Sequence, residues 1–150
     1  MRINDAIDDR IVRELRRNGR QSNADLAERV GLSPSAVSRR VRDLERRGVL
    51  AGYRARIGRE AAGIGFVAYM AVGLNDHSKP AQEAFERALQ TVEAVVECHN
   101  VTGTVEYLLR VEVSDLPAYK HFHTEVLGAL PQVATITTYV VMGSPKDERG

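Results

Sequence analysis

The sequence lacks most of the features that mark secreted, membrane-spanning or disulfide-stabilised proteins. Cys98 is its only cysteine, which excludes an internal disulfide and a CxxC metal site. No apolar run approaches the ~18 residues that a transmembrane helix needs. The N-terminus, with Arg2 and Asp5 near its start, lacks the apolar core of a secretory signal. We therefore expect a cytoplasmic protein with no role in a membrane.

Short catalytic motifs are also missing. The sequence has no glycine-rich phosphate loop, no nucleophile elbow and no HExxH zinc motif. We therefore expect that the protein is not an enzyme and that it has no catalytic residues and no cofactor.

Lysine is absent from residues 1–60, where every basic side chain is an arginine. This part holds 15 of the 21 Lys and Arg residues and 9 of the 20 Asp and Glu residues, a net charge of +6, whereas residues 61–150 have a net charge of −5. A length of 150 residues suits one domain or two small ones. This uneven distribution of charge predicts that the first part contacts a polyanion and that the second part has a different function. The alternative is that the first part has an ordinary charged surface.

Three short helices are predicted in the first part, over about residues 4–18, 23–30 and 34–47, from apolar residues at helical spacing. Only Gly31, Leu32 and Ser33 separate the second helix from the third. A turn of three or four residues that contains glycine is typical of a helix-turn-helix. Ser33 is expected to cap the third helix, with Pro34 at its first position.

The third helix has an apolar stripe of Val37, Val41 and Leu44, and a polar face on the opposite side. An α-helix fits the major groove of DNA, and its early residues reach base edges. We predict base contacts from Ser35, Ser38 and Arg39, and phosphate contacts from arginines further along. The alternative is a solvated face with helix pairs such as Asp43–Arg47. The predicted DNA-binding set is Ser33, Ser35, Ser38, Arg39, Arg40, Arg42 and Arg46, with Arg47 as a further phosphate contact.

The segment Tyr53–Ile57 alternates apolar and polar residues, which predicts a short strand, or wing, beside the third helix. Arg54 and Arg56 would share one face of it, either touching phosphates or facing water. Residues 58–65 contain three glycines and are interpreted as a link between domains. The expected domains are 1–58, a winged helix-turn-helix, and 66–150, with a hinge at 59–65.

The second part alternates strands and helices in the order βαββαβ. Strands are predicted over about 66–74, 95–102, 106–113 and 133–142, and helices over about 80–91 and 116–130. This order is typical of a ferredoxin-like domain, in which helices cover one face of an antiparallel sheet. The fold class is therefore α+β. Because the first and last strands are largely apolar, the bare sheet face predicts a symmetric homodimer packed sheet to sheet.

With these motifs in place, the chain resembles the Lrp/AsnC (feast/famine) transcriptional regulators over essentially its whole length. The resemblance lies in stretches that occur in order through both parts: Ile7–Ile11, Gly19-Arg20, Asp25–Ala27, Val30–Ser33 with Ser35 and Val37, Arg40-Val41, Leu44-Glu45, Gly48–Leu50, Gly52-Tyr53, Val101–Gly103 and Tyr107–Val111.

This resemblance implies a DNA-binding regulator whose second domain mediates assembly and senses a small molecule, typically an amino acid. It further implies dimers that assemble into higher oligomers such as octamers, with effector sites between subunits near the loop after the second strand of that domain. Here that loop is Gly103-Thr104-Val105-Glu106, where the family often has Asp in place of Glu106. Backbone N–H groups and the Thr104 hydroxyl would hold an α-carboxylate, Glu106 would pair with an α-ammonium, and hydroxyls of Thr135, Thr137 and Thr138 would add contacts. The alternative for the loop is a plain hairpin turn.

Two other functions compete with an amino-acid-responsive regulator. A metal-responsive regulator would need ligands from the set Cys98, His99, His121 and His123. His121 and His123 lie on opposite faces of a straight helix, and Cys98 and His99 point to opposite faces of a strand. These residues could therefore bind one metal ion only in a site shared between subunits. His123 is then interpreted as a core histidine, and His121 as a surface residue paired with Glu125. The other rival is a ligand-binding ferredoxin-like protein without a DNA role, which the +6 charge of the first part disfavours.

Overall fold

The computed structural model describes residues 5–147, and the chain divides into two compact units, Met1–Ala55 and Arg56–Gly150. Among the residues it describes, no helix is long and apolar enough to cross a membrane. Residues 59–65 lie at the start of the second unit, and their role as a hinge stays a prediction.

Three helices build the first unit: α1 Ala6–Arg17, α2 Asn23–Val30 and α3 Pro34–Arg46. They agree with the predicted spans, except that Asn4, the expected start of the first helix, lies outside the described residues. Ser22 and Asp25 form a capping box at the start of α2, in which each side chain satisfies the other residue's backbone N–H. The core consists of fully buried apolar side chains from all three helices: Ile11, Leu26, Ala27, Val30, Val37 and Leu44.

The predicted wing strand at Tyr53–Ile57 is wrong for this structure, because residues 51–58 form neither a helix nor a strand. A strand needs a neighbour for its backbone hydrogen bonds, and no other strand occurs in the described part of the first unit. Tyr53 instead contacts α3, where its hydroxyl donates to Glu45 at 3.0 Å.

The second unit contains one four-stranded antiparallel sheet with helices packed on one face. Its elements in chain order are β1 Phe66–Leu74, α4 Lys79–Leu89, β2 Val95–Asn100, β3 Tyr107–Val113, α5 Leu116–His121 and β4 Val133–Val140. The strand order in the sheet is β2-β3-β1-β4. The first and third strands pair centrally and the second and fourth lie at the edges, which confirms the α+β, ferredoxin-like prediction.

Successive side chains of each strand point alternately to the two faces of the sheet. One face packs against the helices and forms the core, and the opposite face is called the open sheet face. The core side includes buried Met70, Tyr107, Leu109, Phe85 and Leu127. The ring of Tyr107 packs 4.7 Å from that of Phe85, and its hydroxyl donates to Glu86 at 2.7 Å. Burial and this hydrogen bond raise the pKa of Tyr107 to about 12, so its hydroxyl stays protonated and fixes the start of β3 to α4.

The second helix of this unit differs from the single span predicted over 116–130. After the six residues of α5, the chain continues as a π-helical turn, Phe122–Leu127. Leu116, predicted in the apolar stripe, is 62% exposed because it lies at the first position of α5. The wider π-helical turn breaks the 100° periodicity on which the predicted stripe depended.

Candidate DNA-binding face and effector loop

The N-terminus of α3 is stabilised by the residues at its own start. Ser33 Oγ accepts the N–H of Ala36 at 3.3 Å, and Pro34 follows at the first helical position. Ser33 Oγ also lies 3.2 Å from Ser35 Oγ. Both serines are exposed, so this capped N-terminus presents hydroxyls and backbone N–H groups, the donors that contact phosphate oxygens.

Arginines line the outward face of α3 and differ in what holds them. Arg39 is exposed, and no other residue of 5–147 bonds to its guanidinium. Arg42 donates to Ser38 Oγ at 2.9 Å. Arg46, with 80% of its side chain exposed, pairs with Asp43. Arg39 is therefore the side chain on this face that is free to reach a base edge.

The predicted helix pair Asp43–Arg47 forms, with 3.2 Å between Arg47 Nη1 and Asp43 Oδ2. Arg46 and Arg47 together lower the pKa of Asp43 below its ordinary value. Arg47 also lies 3.9 Å from Asp8. Only a quarter of its side chain is exposed, so Arg47 is poorly placed for the phosphate contact predicted for it.

Arg40 has a structural partner set that sequence reasoning missed. Its Nη1 lies 2.8 Å from Asp5 Oδ2 and 2.7 Å from Asp8 Oδ1. Asp8 is 7% exposed, and the two carboxylates raise the pKa of Arg40 further above its ordinary value. Arg40 therefore ties α1 to α3, which argues against the phosphate contact predicted for it. Sequence spacing gives no signal for this set, because Asp5 caps α1 and Asp8 lies in its first turn, positions where acidic residues are favoured without a cationic partner.

The loop between β2 and β3 is a closed hairpin with free donors at its tip. Val101 N–H donates to the Glu106 carbonyl at 2.8 Å, and Glu106 N–H to the Val72 carbonyl at 3.2 Å. Gly103 has a φ of 148°, a backbone region that favours glycine. Within residues 5–147, the N–H groups of Gly103, Thr104 and Val105 donate to no protein acceptor. The tip thus offers adjacent backbone donors to an anion.

Glu106 is anchored at the base of this loop. Its Oε2 accepts the N–H of Leu74 at 2.7 Å, and its Oε1 lies 2.8 Å from Nδ1 of His77. The Leu74 N–H and His77 lower the pKa of Glu106, so the carboxylate is ionised at neutral pH. His77, in the connection between β1 and α4, is a partner that the sequence did not predict.

The structure also places Thr135 close to Glu106. Thr135 pairs with Gly73 across β1 and β4, and a Cβ atom on Gly73 would overlap Thr135 Oγ1 and lie 3.8 Å from Glu106 Oε2. Gly73 thus leaves room for the two polar groups. Sequence analysis missed this residue, although a glycine inside an apolar strand signals a close approach.

The other two predicted threonines lie on opposite sides of β4. Thr138 Oγ1 lies 2.6 Å from the Tyr119 hydroxyl, on the helix side of the sheet. Thr137 pairs with Ala71 on the open face and is exposed. Thr138 is therefore engaged in the fold, and Thr135 is the one that the structure places beside Glu106.

The open sheet face combines apolar and charged groups. Leu108 is 39% and Tyr139 is 60% exposed there. Arg110, two residues after Leu108 on β3, lies on the same face. It is 4% exposed, and its Nη2 lies 2.6 Å from Glu112 and 3.4 Å from Asp147. Its Nε has no hydrogen-bond partner in the described part of the chain. The face is thus less uniformly apolar than predicted, with one buried charge cluster on it.

The four candidate metal ligands do not come together. Within residues 5–147, no group of three or more His, Cys, Asp or Glu side chains is arranged to hold a metal ion. His99 lies 3.4 Å from Glu97 on β2. His123 is half-buried against Tyr119, with ring centroids 5.9 Å apart, rather than in the core as predicted.

A helix-turn-helix with an arginine-lined outer face, followed by an α+β unit with a donor-rich loop, defines a DNA-binding regulator with a separate sensing domain. Comparison with known families identifies both parts. The model described as "Winged helix-turn-helix DNA-binding" matches residues 4–51, and that described as "Lrp/AsnC ligand binding domain" matches residues 67–150. The chain belongs to the Lrp/AsnC family of transcriptional regulators.

Relatives support this membership along almost the whole chain. Leucine-responsive regulatory proteins of Salmonella typhimurium and Escherichia coli are 40% identical over 142 residues, which cover 95% of this chain and 87% of theirs. A transcriptional regulator from Neisseria meningitidis, solved in complex with L-Met, is 32% identical with a TM-score of 0.91 over 95% of this chain and 92% of its own. A feast or famine regulatory protein from M. tuberculosis, complexed with L-methionine, is 36% identical with a TM-score of 0.86 over 97% of each chain.

Proposed function

We propose that the protein is a sequence-specific DNA-binding transcriptional regulator whose assembly or DNA binding is modulated by an amino acid. The observation that carries the DNA-binding part is the outer face of α3, where Arg39, which has no partner among residues 5–147, follows a capped, exposed N-terminus. In such a helix the early residues read bases and the flanking cations contact phosphates. On this proposal the protein acts in the cytoplasm, together with the DNA that it binds.

On this proposal Ser35, Ser38 and Arg39 contact base edges, and Ser33, Arg42 and Arg46 contact phosphates. Arg42 and Arg46 are held by Ser38 and Asp43 through solvent-exposed bonds. Such bonds are weak in water and exchange readily for a phosphate oxygen. Arg40 is left out because its charge is neutralised by two carboxylates within the unit.

The effector site is proposed at the loop Gly103–Glu106, with Thr135 beside it. Free N–H groups at the loop tip suit an α-carboxylate, and the ionised Glu106 suits an α-ammonium. The similarity to two regulators solved with L-methionine supports an amino acid as the ligand. Thr137 and Thr138 take no part on this proposal.

We further propose a homodimer formed through the open sheet face, which assembles into higher oligomers such as octamers. Exposed Leu108 and Tyr139 support this, because a small domain rarely leaves such side chains grouped on a sheet face in water. A two-fold dimer would present two α3 helices to two half-sites on DNA.

Fluorescence anisotropy tests the DNA-binding part. DNA from upstream of the protein's own gene is compared with a scrambled duplex over a series of salt concentrations. We expect tighter binding to the native duplex, with an affinity that falls steeply with salt as counterions are released. No binding to either duplex at low salt would contradict the proposal.

Isothermal titration calorimetry with each of the twenty common amino acids tests the effector part. We expect at least one to bind wild-type protein and to lose binding to Glu106→Gln, which removes the charge that pairs with the ammonium. Thr91→Val, at an exposed site between α4 and β2, is the matched control and should bind normally.

A further inference from the structure

His77 occupies an exposed position at the edge of the proposed effector site. It lies in the connection between β1 and α4, and its side chain is 74% exposed. Its Nδ1 lies 2.8 Å from Glu106 Oε1, whereas the Glu106 side chain is only 18% exposed. The imidazole thus stands on the solvent side of the carboxylate that we assign to the ammonium of the ligand.

Both oxygens of Glu106 have partners without any ligand. Oε2 accepts the Leu74 N–H at 2.7 Å, a bond within the fold of β1. Oε1 faces His77. A ligand ammonium that approaches from solvent therefore meets a carboxylate whose Oε1 already faces His77.

We propose that His77 competes with the α-ammonium of the amino acid for Glu106 and thereby weakens effector binding. The competition rests on the effector site proposed above. The ring Nδ1 lies 2.8 Å from Glu106 Oε1, so an ammonium that binds this oxygen does so at the cost of the histidine contact. A permanent positive charge at this position would also repel the ammonium.

Other charged groups near His77 are engaged elsewhere. The adjacent Asp76 interacts with His77 electrostatically, but its carboxylate accepts the Ser78 N–H and hydroxyl, each at 2.8 Å. Lys79, at the start of α4, pairs with Glu83 at 3.7 Å. Glu106 is therefore the carboxylate to which the His77 ring itself is bonded.

Calorimetry on the full-length protein tests this competition. The probe is L-methionine, or the amino acid that binds most tightly in the panel above. We expect His77→Ala, which leaves Glu106 Oε1 to the ligand, to bind about tenfold more tightly than the wild type. His77→Lys places a permanent charge beside Glu106 and should bind more weakly than the wild type, whereas the control His121→Ala, on α5, should behave as wild type.

A second readout needs no ligand. Hydrogen exchange of residues 101–106 is compared between wild type and His77→Ala. We expect faster exchange in the variant, because the contact that holds the Glu106 side chain at the base of the loop is lost.

The outcomes separate the two proposals. If His77→Ala binds the amino acid no more tightly than the wild type, or if loop exchange is equal in the two proteins, the competition is wrong while the effector site stands. If neither wild type nor any variant binds an amino acid, both the proposed effector function and the competition are wrong.

Discussion

The absence of a side chain at Gly73 leaves space for Thr135 and Glu106, two residues of the proposed effector site. A Cβ atom there would overlap Thr135 Oγ1 and approach Glu106. We expect Gly73→Ala to lower the free energy of unfolding by about 1–3 kcal/mol, because β1 is paired on both sides in the sheet and cannot shift freely. Urea unfolding measures this change.

The double variant Gly73→Ala/Thr135→Ala is the control for that prediction. It removes the hydroxyl that the new methyl group meets and should recover most of the lost stability. Equal destabilisation in the single and double variants would show that Thr135 is not the obstacle.

Arg39 and Arg46 are predicted to act differently on DNA. Arg39→Ala should reduce discrimination between native and scrambled duplexes by about 1–3 kcal/mol, because it removes a contact to a base edge. Arg46→Ala should weaken binding to both duplexes about equally and lower the salt slope by about 1, as expected for one phosphate contact. Anisotropy titrations give both quantities. The assignment of base and phosphate roles is wrong if the two variants behave alike.

Residue roles were predictable from sequence only where they depend on one helix. The outward position of Arg39 follows from helical periodicity. The pairing of Arg40 with Asp5 and Asp8 depends on how α1 packs on α3, and sequence spacing does not encode it. Likewise, the separation of Thr135 from Thr138 depends on the register between β1 and β4.

Among the helices and strands, the N-terminus of α3 has both a structural role, as a capped helix end, and a proposed role in DNA binding. Ser33→Ala removes the cap and should lower the free energy of unfolding by about 1 kcal/mol. Ser33→Asp keeps a capping oxygen and favours the helix dipole, so stability should be retained. The added negative charge should nevertheless weaken DNA binding. Thermal unfolding and anisotropy separate these effects, and normal DNA affinity in Ser33→Asp would remove this helix end from the interface.

Elements with a strong internal pattern were predicted well, and those that depend on a partner were not. Helices α2 and α3 carry their own caps and glycine stops, so their spans agree with the prediction. The segment Tyr53–Ile57 has strand-like alternation, but the described residues give it no neighbouring strand, and it is irregular. The π-helical turn at Phe122–Leu127 has no sequence pattern that distinguishes it from an α-helix.

At the scale of the whole molecule, assembly should depend on the open sheet face. We expect Leu108→Glu to shift the protein towards monomers and to weaken DNA binding, because a charge would be buried in the dimer and two half-sites would no longer be bound together. Leu116→Glu is the matched control, since Leu116 is also an exposed leucine but lies on α5. Sedimentation velocity measures the assembly. An unchanged oligomer in Leu108→Glu would place the interface elsewhere.

The central claim is that an amino acid controls how this protein binds DNA. Control of this kind is a coupling free energy, and it must be reciprocal. The ligand must therefore change DNA affinity by the same factor by which DNA changes ligand affinity.

The most direct measurement is the DNA affinity of wild type and Glu106→Gln, with and without a saturating amino acid that calorimetry has identified. We predict a change of about 5- to 150-fold in the wild type and none in Glu106→Gln. Equal DNA affinity with and without every amino acid that binds the wild type would contradict the account.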